Sequence, residues 1–150
     1  MSLLIAIDPG ASGGYAYRID GGSVVASKLP DSDTDTMDEL RMLLAQTDGQ
    51  GTLYIEAVSP FTSTPGMGAS MAKLYGGQRF IIGVAMTLGY QIIEVHPKKW
   101  QGHFELGNKK DHGKRWKAHC KDAAQRLFPA IKVTLNVADA LLILSYASTK

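Results

Sequence analysis

Five short apolar runs, each closed by turn-forming residues, alternate along the chain with four longer stretches whose apolar side chains recur every three or four positions. Leu3 to Ile7 is continuous and apolar, which predicts a buried strand, and the breaker-rich loop Asp8-Pro9-Gly10-Ala11-Ser12-Gly13-Gly14 ends it. Tyr15 to Ile19 alternates weakly, Asp20-Gly21-Gly22 supplies turn chemistry, and Ser23 to Lys28 returns, so the chain is expected to open with an antiparallel three-stranded meander. The polar segment Asp31 to Thr36 leads into a helix with Met37, Leu40, Leu43 and Leu44 at helical spacing. Thr52 to Ala57 predicts a fourth strand, and 58–68, with two prolines and two glycines, a loop. A long helix is expected from a capping Ser70 to about Leu88, with Gly76-Gly77 suited to close backbone packing. Tyr90 to Val95 predicts a fifth strand stopped by His96-Pro97. A basic loop, a helix over Lys114 to Phe128 and a last helix from about Asn136 to Ser148 complete the chain.

The order βββ-α-β-α-β-α-α implies an α/β fold, a mixed five-stranded sheet flanked by helices. No repeat, linker or low-complexity tract divides residues 1–150, which read as a single domain. The lone Cys120 excludes an intramolecular disulfide framework, no apolar run approaches the ~20 residues of a membrane span, and the opening residues lack the features of a signal peptide. These features together read as a cytoplasmic protein without a membrane partner.

Charge changes the picture through its distribution. The net charge is only +2, yet residues 98–121 carry eight of the sixteen Lys and Arg against Glu105 and Asp111. Residues 1–97 carry ten acids against five bases. A concentrated basic segment is the footprint of a polyanion partner, and equally the pattern of a solvated helix face.

Three acids occupy telling places. Asp8 follows the first strand, Glu56 ends the fourth after Leu53-Tyr54-Ile55, and Asp139 lies in the first turn of an apolar helix. Acids beside core residues are costly to desolvate unless paired or bound to a cation, and hard divalent cations want carboxylate oxygens. Each acid alone also has an ordinary role: an Asx-turn for Asp8, a lysine pair for Glu56, the helix dipole for Asp139. Together, in this element order, they favour a metal site.

Ile5-Ala6-Ile7-Asp8-Pro9-Gly10 with Ser12-Gly13-Gly14, then Tyr54-Ile55-Glu56, then Ala138-Asp139-Ala140-Leu141 resembles the RuvC family of Holliday-junction resolvases. Ser70-Met71-Ala72-Lys73-Leu74 with Gly77-Gln78-Arg79, and Lys117 ahead of Leu127-Phe128-Pro129, extend the resemblance over nearly the whole chain. It implies an RNase H-like fold, a homodimer acting on four-way or branched DNA, and two Mg²⁺ or Mn²⁺ ions per active site. These ions would serve to activate water and stabilise the leaving 3′ oxygen. Asp8, Glu56 and Asp139 would bind metal, and Lys117 would offset charge on the scissile phosphate. The family usually places an Asp or His three residues before the last acid; here that position is Asn136, a neutral and weaker ligand, or simply a helix N-cap.

Lys114, Lys117 and Lys121 fall at i, i+3 and i+7, a stripe suited to tracking phosphates. Ser12, Ser70, Lys73, Lys98, Lys99, Lys109 and Lys110 are further candidate DNA contacts. Phe61 and Met67 are candidates either to wedge into a junction or to pack. The four histidines show no zinc spacing with Cys120, and Trp100 and Trp116 read as packing residues. Besides a junction-resolving endonuclease, the sequence admits an RNA-processing nuclease of the same fold, and a junction-binding protein whose cleavage is impaired at Asn136. A sugar-kinase or actin-like ATPase needs two such domains, which 150 residues cannot supply.

Overall fold

Five strands, β1 (Leu3–Ile7), β2 (Gly14–Ile19), β3 (Val25–Lys28), β4 (Gly51–Glu56) and β5 (Gln91–Val95), form one sheet in the order β3-β2-β1-β4-β5 in the computed structural model, which describes residues 1–150. The expected meander is present, with β1 and β2 antiparallel and β2 and β3 antiparallel. β4 and β5 instead join parallel to their neighbours, because the helices α1 (Asp33–Ala45) and α2 (Gly68–Leu88) carry the chain back across the sheet.

Strand alternation divides the core in two. Ile5, Ile7, Leu53 and Ile55 point to one face and pack with Leu40 and Leu43 of α1 and Ile81, Ile82 and Ala85 of α2. Ala6, Ala16 and Tyr54 point to the other, where α5 (Trp116–Leu127) and α6 (Ala138–Ala147) cover them with Cys120, Ala124, Leu141 and Leu144. The fold class expected from the sequence is the one observed. No helix is long and apolar enough to cross a membrane.

The segment expected to be a basic loop is structured. The fifth strand ends at Val95, before His96-Pro97, as expected, and Pro97 then occupies the first turn of a short helix, α3 (Pro97–His103), where its missing N–H costs nothing; His96 Nδ1 accepts from the Lys98 main-chain N–H at 3.3 Å. A second short helix, α4 (Lys109–His112), and a 3-10 turn (Gly113–Arg115) precede α5. Lys114 therefore lies in the turn, outside the helix that bears Lys117 and Lys121, and the stripe expected over one helix is interrupted.

Two helix starts also differ. α2 begins at Gly68 with Met67 as its capping residue, so Ser70 lies inside the helix. α6 begins at Ala138 after Val137, so Asn136 is not its N-cap. Nothing lies within 4 Å of the position a Cβ would take at Gly76 or Gly77, so these glycines serve no close packing within the chain.

Candidate active site

Register places two of the acids side by side. β1 and β4 run parallel with Ile7 opposite Ile55, so the next residues, Asp8 and Glu56, leave the sheet at the same edge. By alternation both continue the face of Ala6 and Tyr54, toward α5 and α6. α6 crosses that face against β1 and β2 and brings Asp139, in its first turn, to the same edge.

The approach depends on two glycines. A Cβ at Gly14 would collide with the main-chain carbonyl of Asn136, and one at Gly13 with the carbonyl of Asp8. The loop after Asp8 therefore packs directly on the segment leading into α6. Asn136 closes this contact by donating its side-chain N–H to the Ser12 carbonyl at 2.9 Å. Its nitrogen is thereby committed, and only Oδ1 is left to meet a cation.

Asp8 makes the Asx-type contact that its ordinary role predicts, with Gly10 N–H donating to Oδ1 at 3.3 Å. Glu56 is held at two points. The fully buried Trp100 of α3 donates its indole N–H to Oε2 at 3.0 Å. Gln78 of α2, also fully buried, donates from Nε2 to the Glu56 main-chain carbonyl at 3.4 Å and to Glu94 Oε1 at 2.9 Å. Trp100 is thus part of the site, although periodicity alone read it as packing.

The electrostatics are those of an uncompensated acid cluster. Burial raises the Asp8 carboxyl above its usual range, against the lowering effects of the Gly10 N–H and of Lys117. Burial, followed by the charges of Asp8 and Asp139, pushes Glu56 up to about 8. Burial and then Asp8 push Asp139 up to about 6. None of the three acids takes part in a salt bridge; the ion pairs are Lys28–Asp31, Arg41–Asp38 and Arg79–Glu94. No three or more His, Cys, Asp or Glu side chains are grouped closely enough to hold a metal ion as they stand; the three acids share one edge and sense one another's charge. Carboxylates at an open edge offer the oxygen donors that a hard divalent cation takes, with positions left for water and phosphate.

Two lysines act on this cluster from outside. The charge of Lys117 of α5 moderates Asp8 and Asp139. Lys109 of α4 acts likewise on Glu56 and Asp139, a closer role than the backbone contact expected for it. Its short helix is fixed to α5 by side chains. His112 stacks on His119 with centroids 4.0 Å apart and planes 13° apart. His119 Nε2 lies 2.9 Å from the Leu106 carbonyl, which requires the proton on Nε2.

The other candidates make no hydrogen bond or ion pair with the three acids. Ser12, Ser70, Lys73, Lys98, Lys99, Lys110 and Lys114 are exposed and Lys121 is half-buried. Phe61 is 82% exposed and Met67 43%, so packing does not account for Phe61. A cavity of about 340 Å³ lies at the opposite end of the sheet between Ser2, Arg18, Tyr54 and Lys150.

The mixed sheet ordered β3-β2-β1-β4-β5 with helices on both faces is the RNase H-like fold expected from the sequence. Two solved structures share this fold. Thermus thermophilus RuvC superimposes with a TM-score of 0.53 and 14% identity, over 97% of this chain and 93% of that one. T. thermophilus RuvC in complex with a Holliday junction substrate gives 0.55 and 15%, over 98% and 93%. No protein-family model matches the chain, and no curated protein matches it in sequence.

Proposed function

We propose that this protein is a metal-dependent, structure-selective endonuclease that resolves four-way or branched DNA by phosphodiester hydrolysis. The observation that carries the reading is the meeting of Asp8, Glu56 and Asp139, without a salt bridge among them, at one edge of a RuvC-like sheet. That one of the two similar structures was solved with a Holliday junction supports the choice of substrate.

Asp8, Glu56 and Asp139 would hold Mg²⁺ or Mn²⁺, with Asn136 Oδ1 as a neutral fourth donor. When bound, the ions supply Lewis-acid polarisation of the phosphate and a water nucleophile at neutral pH. Water adds to phosphorus in line, the bond to the 3′ oxygen breaks, and a proton passes to that oxygen, leaving a 5′-phosphate and a 3′-hydroxyl. Lys117 and Lys109 face the carboxylates from outside, where their charge would offset that developing on the phosphate. The lysines of α3, α4 and α5 would track the backbone, and the exposed Phe61 would meet the opened junction centre. A four-way junction presents two equivalent strands, so the working form is proposed to be a homodimer, acting in the cytoplasm.

The test is incubation with a synthetic four-way junction, a linear duplex of the same sequence and a structured RNA, each with and without Mg²⁺. Paired cuts in the junction only with Mg²⁺ are expected. Preferential cutting of the RNA would move the assignment to RNA processing, and binding without cutting would leave a junction-binding protein.

A further inference from the structure

A buried indole N–H has to find an acceptor, and most find a neutral one. The N–H of Trp100 meets a carboxylate oxygen, Glu56 Oε2, at 3.0 Å. Its position is determined by the surrounding backbone. Pro97 in the first turn and His96 at the cap start α3 directly after β5, and α3 packs against α6, the helix that carries Asp139. On the other side, Gln78 holds the main-chain carbonyl of Glu56. Main chain and carboxylate are therefore fixed by different elements, and one carboxylate oxygen is already occupied.

We propose that Trp100 is a positioning residue for Glu56: its N–H retains Oε2 and leaves Oε1 as the single oxygen offered to a divalent cation. The inference rests on reading the site as metal-binding. Hydrogen bonds of this kind, from a residue behind a ligand, are typically worth about 10- to 100-fold in metal affinity.

The experiment uses DNA-free protein and Mg²⁺ alone. The indole N–H resonances of Trp100 and Trp116 are assigned by Trp116→Phe and followed by NMR during the titration, with binding measured in parallel by calorimetry. The Trp100 resonance is expected to shift saturably while that of Trp116 does not. Trp100→Phe, which keeps an aromatic ring but has no donor, is expected to need about 10-fold more Mg²⁺ for half-saturation. Trp116→Phe is expected to leave the midpoint unchanged. A Trp100→Phe variant that melts earlier yet binds Mg²⁺ as tightly as the parent would overturn the proposal, leaving Trp100 a packing residue. If that variant does not fold, the parent resonance decides, and a Trp100 signal unmoved by saturating Mg²⁺ overturns it. Absence of any saturable, Asp8-dependent Mg²⁺ binding would instead refute the metal site itself.

Discussion

Asn136 donates its side-chain N–H to the main-chain carbonyl of Ser12, joining the loop after the first acid to the segment before the last. Asn136→Asp would exchange that donor for a carboxylate facing a carbonyl and add a fourth negative charge to the cluster. Without divalent ions the variant is expected to lose about 1 kcal/mol, roughly 2–4 °C in Tm. With Mg²⁺ it should recover more than the parent does and cleave at lower Mg²⁺, because a charged ligand replaces a neutral one. Melting curves and initial cleavage rates across a Mg²⁺ series check both halves. Identical Mg²⁺ dependence in the two proteins would restrict Asn136 to its bond with Ser12.

Asp8→Asn tests the cluster in the opposite sense. Removing one of three mutually repelling carboxylates should stabilise the metal-free protein by about 1 kcal/mol, a small upward step in Tm. It should also abolish cleavage while leaving junction binding, which rests on lysines, within about twofold. Calorimetric melting and a gel-shift assay decide it. Cleavage by Asp8→Asn at saturating Mg²⁺ would remove Asp8 from the site.

Stability without metal should fall as pH rises. Glu56 has a folded pKa of about 8 against an ordinary 4.5, and Asp139 about 6 against 3.8. Between the ordinary and the folded value the native state holds a proton that the unfolded chain has released, so the slope of stability with pH is negative across that window. The Asp139 contribution is lost between about pH 4 and 6, and that of Glu56 between about pH 4.5 and 8. Mg²⁺ should reverse the trend at pH 8 by binding the ionised carboxylates. Glu56→Gln should flatten the upper part of the profile. Tm at half-unit pH steps, with EDTA and with Mg²⁺, measures this, and parallel profiles for parent and variant would contradict it.

Lysines facing the acids should differ from lysines elsewhere. Lys117→Ala and Lys109→Ala are expected to slow cleavage of bound junction far more than they weaken binding. Lys114→Ala and Lys121→Ala should chiefly weaken binding and reduce the salt slope by about one each if each meets one phosphate. Single-turnover rates alongside binding at several salt concentrations separate the two classes. If all four behave alike, Lys109 and Lys117 act only as backbone contacts.

The strands and the three acids were legible because their signals are local: an apolar run, a breaker, an acid at the junction between them. The expected strand ends at Ile7 and Ala57 lie within a residue of the observed ends, Ile7 and Glu56. What local pattern missed depends on contacts distant in the chain. Pro97 reads only as a stop until His96 is seen to cap a helix behind it. Trp100 reads as bulk until its N–H is found on a residue of another strand. Lys109 is one of several lysines until the stacked His112 and His119 hold its helix against α5. Asn136 invites the cap reading by residue type, yet tertiary contact with Ser12 claims its side chain instead.

The contact between the end of the β1–β2 loop and the segment before α6, tight enough to forbid a Cβ at Gly14, joins two stretches that emerge from the ribosome far apart in time. Asp8 is made early and Asp139 late; Asp8 gains Glu56 once β1 and β4 pair, but Asp139 only when α6 has docked across β1. A nascent or truncated chain lacking α6 would carry most of the sheet and its lysines but an incomplete ligand set. The three-acid edge is thus completed only when the end of the chain has folded, and a half-made molecule carries it incomplete.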